Sequence, residues 1–319
     1  MTAVETVRGP VELTQLGRTL MHEHVFVLQP ETLQNYAHFW GASYWDEEER
    51  VADAISKLEA LTQVGIQALV DPTAIGLGRY IPRIQRVNAS VDIHIVVATG
   101  VYAFLELPNF FKYRSPEEIA EFFVREIREG IDETGVKAAF LKCAVEEFGL
   151  VGDVPRIIRA TALASLETGA PVMVHTNAVA KSGLWALEAF ASEGVDLSRV
   201  QIAHAGDSND LDYLRAIADQ GAILGCDRFG IPHFNPDEDR IRTLAALVAD
   251  GYADQIILGH DAACFYDFFV GDEKFKDEKP DYRHISRTIL PALLDAGVTQ
   301  EQIDTMMIEN PIRFFGSPA

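Results

Sequence analysis

His22 and His24 stand two residues apart in the apolar stretch LMHEHVFVL, with Glu23 between them. In an extended strand residues i and i+2 share one face and i+1 points to the other. The two imidazoles therefore converge, as they would on one ion, while Glu23 turns away. Further along, Lys142, His175, His204, Arg228 and Asp261 each end a short apolar run, and Tyr102 lies just past another. Imidazole and carboxylate together suit borderline divalent ions such as zinc, cobalt, manganese or iron, whereas magnesium and calcium want mostly oxygen. Four imidazoles and a carboxylate are too many for one tetrahedral catalytic ion with an open position, which points to two ions. A lone histidine is more often a core or surface residue; the joint pattern is what argues for chemistry. Lys142 is anomalous in that company, because an ammonium cannot ligate and would repel two cations. Carrying CO2 as a carbamate, it becomes an anionic bridge.

Positions 142, 175, 204, 228 and 261 fall about one βα unit apart. A barrel whose catalytic residues come from the carboxyl ends of successive strands produces that spacing. Eight runs read as strands: TLMHEHVF, ALVDPT, IHIVVATGVY, AFLKCA, PVMVHT, VQIAHAG, AILGCDRFG and QIILGHD. They alternate with amphipathic stretches such as DEEERVADAISKLEALTQVG and SPEEIAEFFVREIREGIDETG, which open on Asp or Ser and close on Gly, as helix caps require. Ser115 is the expected N-cap of the second and Pro116 its first helical residue. The alternation predicts an α/β fold, a (β/α)8 TIM barrel forming a single domain over residues 1–319, with an N-terminal hairpin in 1–18 and a long active-site loop over 262–283. A doubly wound open sheet is the alternative, but Gly76 and Gly78 after the second run lack the GxGxxG spacing of its phosphate loop.

The chain carries 27 Lys and Arg against 48 Asp and Glu, a formal net charge of −21. So acidic a surface argues against nucleic acid and against anionic membrane surfaces as partners. The three cysteines, Cys143, Cys226 and Cys264, include no CxxC pair, so a disulfide framework is not expected and a cytoplasmic location is. No apolar run reaches the length of a membrane span.

The ordered pieces LMHEHVF, VVATGVY, LKCAVEEFGL, VMVHTNA, IAHAGDSNDLDYL, LGCDRFG and LGHDAAC run across nearly the whole chain. Together they resemble the phosphotriesterase branch of the amidohydrolase superfamily, and within it the phosphotriesterase-like lactonases. The resemblance implies that His22, His24 and Asp261 hold one metal and His175 and His204 the other, with carboxylated Lys142 and a hydroxide bridging both. It implies that Tyr102 touches the hydroxide or the lactone oxygen and that Arg228 helps place the substrate. In the expected reaction Asp261 moves the proton. The chain departs from many relatives in having Ala262 and Ala263 where they carry an aromatic and a cysteine.

The expected substrate is a lactone, foremost an N-acyl-homoserine lactone, with phosphotriesterase activity on the side. A dedicated organophosphate or ester hydrolase, and a non-catalytic metal-binding relative, are the alternatives. Phe104, Phe265, Tyr266, Phe268 and Phe269 suit an apolar channel for an acyl tail, and NYAHFWGASYW suits a lid or a dimer contact, a homodimer being the expected assembly. Asp207 reads as a helix cap, Asp71 and Asp227 as groups that orient ligands, His260 as facing the opposite side of its strand, and Cys143 as a small buried residue. His38, His94, His233 and His284 fall outside the pattern.

Overall fold

The computed structural model describes residues 2–41, 44–268 and 281–316. Strands β1 (Ala3–Thr6) and β2 (Gly9–Glu12) form an antiparallel hairpin. The N–H of Val7 at its turn donates to the Ile95 carbonyl, tying the hairpin to the amino-terminal end of a barrel strand.

The barrel strands follow as β3 (Thr19–Leu20), β4 (Glu23–Val27), β5 (Ala68–Asp71), β6 (His94–Gly100), β7 (Phe140–Val145), β8 (Val172–Thr176), β9 (Val200–Ala203), β10 (Ile223–Cys226), β11 (Ile256–Leu258) and β12 (Ala262–Tyr266). All pair in parallel, in the order β3, β5, β6, β7, β8, β9, β10, β11, while β12 pairs with β4. The first barrel strand is therefore β3 continued by β4, and the eighth is β11 continued by β12. Met21 N–H donates to the Leu258 carbonyl and Asp261 N–H to the His22 carbonyl, each at 2.9 Å, drawing the eighth strand against the first. The fold is a (β/α)8 barrel.

Strands covered on both faces read as continuous apolar runs, and every residue of β7, FLKCAV, is buried. Alternate residues divide between two apolar shells. Leu141, Val174, Ile202 and Leu224 pack beneath the helices, whereas Phe140, Met173, Ala203 and Ile257 fill the barrel. Lys142 shares the parity of Phe140 and so points inward. The helix Pro116–Arg128 starts as the sequence predicts: Ser115 and Glu118 form a reciprocal capping box, with Pro116 at the first position.

Several predicted strands are shorter than their apolar runs. The first breaks at Met21 and His22 and the eighth between Gly259 and Asp261. The two breaks face each other: a Cβ on Gly259 would come within 2.9 Å of the His22 backbone. β9 stops directly before His204, whose φ of 65° takes it out of the strand, and Arg228 and Asp261, at φ 63° and 55°, likewise lie outside strands in the gaps after β10 and β11. The predicted loop 262–283 instead opens as strand β12, since Ala262 and Ala263 pair with Glu23 and His24. Phe269 lies outside the described residues. No described helix is long and apolar enough to cross a membrane.

Candidate metal centre

The ends of the strands bring the predicted ligands together. Nε2 of His22 and Nε2 of His24 lie 3.3 and 3.2 Å from Oδ1 of Asp261. Nε2 of His204 is 2.8 Å from Nδ1 of His175, and the rings of His22 and His204 are 5.0 Å apart. Ligand atoms of His22, His204 and Asp261 all lie within 4.8 Å of one another, close enough for a single metal ion. That triplet crosses the two groups that the family resemblance implies, so the pairs form one cluster.

Each imidazole has its other nitrogen tied to an acceptor. Nδ1 of His22 and Nδ1 of His204 each meet a different oxygen of Asp227 at 2.7 Å. Nδ1 of His24 meets the Thr73 hydroxyl at 2.7 Å, and that hydroxyl donates to Asp71 at 2.5 Å. Nε2 of His175 meets Glu146 at 2.7 Å, and Asn177 also donates to that carboxylate. An acceptor behind each ring directs one ring nitrogen outward and turns the other toward the cluster, which is how metal-binding histidines are held. Asp71 and Asp227 thus sit where orienting groups belong. Thr73 and Glu146 escaped the sequence reading. Both lie just past strand ends, but a threonine after proline and the first of two glutamates in a loop are unremarkable as types.

The charges agree with this arrangement. Burial would lower the pKa of His24, but Asp261 and Asp71 outweigh it and raise it to about 9. A cation between His24 and Asp261 would displace that proton. Burial lowers His175 to about 4, so its ring is neutral and able to ligate. Burial favours the protonated form of Asp261 and Asp227, yet the neighbouring imidazoles hold both carboxyls well below the usual range.

Lys142 is 1% exposed, and its Nζ has no hydrogen-bond partner among the described residues. Burial lowers its pKa to about 8. An orphaned buried amine beside a ring of ligands fits a bridging carbamate: the uncharged amine is the form that adds CO2, and the product would have cations to bind. The donor set therefore fits two ions.

Arg228 donates from Nε to Asp261 at 3.0 Å and from a terminal nitrogen to Asp207 at 2.8 Å, and Asp207 also binds Arg240 at 2.6 Å. Asp207 is thus an ion-pair residue and not the helix cap that the sequence predicts. A 3-10 turn over Ala205–Asp207 delays the helix Leu211–Ala218, which Asp210 caps by accepting from the N–H groups of Asp212 and Tyr213. The Tyr102 hydroxyl lies 3.5 Å from Nδ1 of His175, and burial pushes its pKa well above the ordinary value, keeping it a donor. Cys143 is buried, and His260 turns away from the cluster toward Glu23.

The cluster opens into a cavity of about 1500 Å³ lined by Tyr102, Arg228, Phe104, Tyr266 and Phe268 among others. The Phe104 ring lies 5.0 Å from Tyr102 and 5.6 Å from His175, and Tyr266 stands 4.9 Å from Phe268. Phe265 also lines the cavity, its ring packing 5.5 Å from Trp45 beneath the Arg50 guanidinium.

Comparison with known proteins places this geometry. A protein of Mycobacterium tuberculosis described as a phosphotriesterase homology protein is 46% identical over 324 residues, covering 99% of this chain and 98% of its own length. An aryldialkylphosphatase of Saccharolobus solfataricus is 36% identical over 311 residues, covering 97% and 98%. The solved structure of the phosphotriesterase from Mycobacterium tuberculosis superposes with a TM-score of 0.93 at 46% identity, covering 98% of each chain. With the family profile matching residues 2–315 as well, the chain belongs to the phosphotriesterase family of hydrolases.

Proposed function

We propose that the protein opens lactone rings, N-acyl-homoserine lactones foremost, using two divalent ions of the zinc, cobalt, manganese or iron type. His22, His24 and Asp261 would hold one, His175 and His204 the other, and carboxylated Lys142 both. The observation that carries the lactone reading is the set of apolar side chains Phe104, Tyr266 and Phe268, which line the cavity that the ligand cluster opens into and suit an acyl tail.

Cations bound there would lower the pKa of water toward about 7 and polarise a carbonyl. The protein's own groups supply the rest. Asp261 accepts a proton from the attacking water as its oxygen bonds to the lactone carbonyl carbon. The Tyr102 hydroxyl donates to the carbonyl oxygen as charge builds on it. Arg228 holds the Asp261 carboxylate in place and lines the substrate's approach. Asp261 then gives the proton to the ring oxygen as the ring C–O bond breaks, leaving a hydroxy acid.

The relative named aryldialkylphosphatase favours a second reading, a phosphotriester as the main substrate of the same site. One experiment separates them: strip the metal, reload with cobalt or zinc, and compare rates on lactones of graded acyl length with rates on an aryl dialkyl phosphate. Metal-dependent activity that rises with acyl length is expected. Activity that survives without metal would sink the proposal, and a phosphotriester preferred over every lactone would establish the second reading.

A further inference from the structure

Glu23, between the two histidines, faces away from the cluster, yet it is as deeply buried as they are. Glu23 and His260 are each 0% exposed. Oε1 of Glu23 accepts from the His260 backbone N–H at 2.7 Å and from His260 Nδ1 at 2.8 Å, and Oε2 accepts from the Ala262 N–H at 3.2 Å. The Ile285 N–H donates to Nε2 of His260 at 2.9 Å, which leaves the ring proton on Nδ1, directed at Glu23.

One carboxylate thus grips the backbone on both sides of Asp261, and Asp261's own N–H is held by the His22 carbonyl at 2.9 Å. Between those grips Asp261 takes φ 55°, a left-handed conformation that non-glycine residues rarely adopt and that its surroundings must enforce. The result is a side chain whose Oδ1 meets both His22 and His24.

We propose that Glu23 and His260 are positioning residues that set Asp261 as a metal ligand from the reverse face of the first strand. The proposal rests on the two-metal reading above. Glutamate is the residue this requires, because three donors converge on two acceptor oxygens. A glutamine there offers one acceptor and turns an NH2 toward an N–H.

The test is cobalt titration of the metal-free wild type and Glu23→Gln, following stoichiometry and the visible spectrum of bound cobalt, with thermal melts of the metal-free proteins as a check on folding. The expected result is that Glu23→Gln binds one cobalt as the wild type does and the other about 10- to 100-fold more weakly, with an altered spectrum. Wild-type affinity and spectrum for both ions, or equal weakening of both, would overturn the proposal. Should Glu23→Gln not fold, His260 decides. His260→Asn, whose amide can still donate to Glu23, should retain the affinity that His260→Leu loses, and identical affinities in the two would overturn it. A wild type that takes up no cobalt would refute the metal reading itself, whereas a wild type that binds two with Glu23→Gln unchanged refutes only the positioning role.

Discussion

Asp227 accepts a hydrogen bond from Nδ1 of His22 at 2.7 Å, and this contact aims the other nitrogen of the ring at Asp261. The second oxygen of the same carboxylate accepts from Nδ1 of His204, whose other nitrogen faces Nδ1 of His175. One buried group therefore orients a ring in each of the two proposed ligand sets. Asp227→Asn, whose one acceptor oxygen can hold only one of the two rings, should weaken binding of the ion on the other ring's side by about 10- to 100-fold. Metal titration checks it; two ions bound with unchanged affinity would refute it.

Lys142 should take up CO2 in a pH-dependent way. Burial depresses its pKa to about 8, so below that value the ammonium dominates, and the amine that adds CO2 falls about tenfold for each unit of pH. At fixed dissolved CO2, the rate at which metal-free protein plus cobalt regains activity should rise about tenfold from near pH 6 to near pH 7 and level off above 8. A flat profile would mean that the amine is not the group being modified.

Phe104→Ala and Tyr266→Ala remove apolar surface from the cavity wall, Phe104 from beside Tyr102 and His175 and Tyr266 from beside Phe268, without removing a proposed ligand. For lactones with long acyl tails kcat/KM should fall about tenfold, the value of one to two buried methylenes, and for short-tailed lactones it should change little. Kinetics over a series of chain lengths show whether the loss scales with length; a uniform loss would detach these residues from tail binding.

Gly100 ends β6 at φ +127°, and a Cβ there would overlap the Lys142 carbonyl oxygen. Gly100→Ala should destabilise the protein by about 2–4 kcal/mol, from backbone strain and overpacking together. Gly251, at φ +96°, has open space where a side chain would begin, with nothing of the described residues within 4 Å, so Gly251→Ala carries strain alone and should cost about 1 kcal/mol. Urea denaturation of the two variants gives the comparison, and equal losses would show that contact with Lys142 contributes nothing.

Much of the site was legible in the sequence because the ligands come one or two to a strand end, and strand ends can be found from local periodicity. The ring of His22, His24, Lys142, His175, His204, Arg228 and Asp261 was read from residue type and spacing. The misreadings share a physical cause. Asp207 resembles a cap because capping is a local pattern, but its partners Arg228 and Arg240 lie 21 and 33 positions away. Thr73 and Glu146 were missed because nothing local distinguishes an acceptor behind an imidazole from an ordinary loop residue.

The amino-acid sequence alone determined the eight βα units, the buried strands and which chemical groups reach the barrel mouth, since these follow from periodicity and residue type. Tertiary structure alone decided how those groups are aimed. The His22 and Asp227 contact joins residues 205 positions apart, and the Glu23 and His260 contact joins residues 237 apart. Such contacts exist only once the eighth strand closes on the first, and it is closure that turns Asp261 inward and leaves the amine of Lys142 buried among its neighbours.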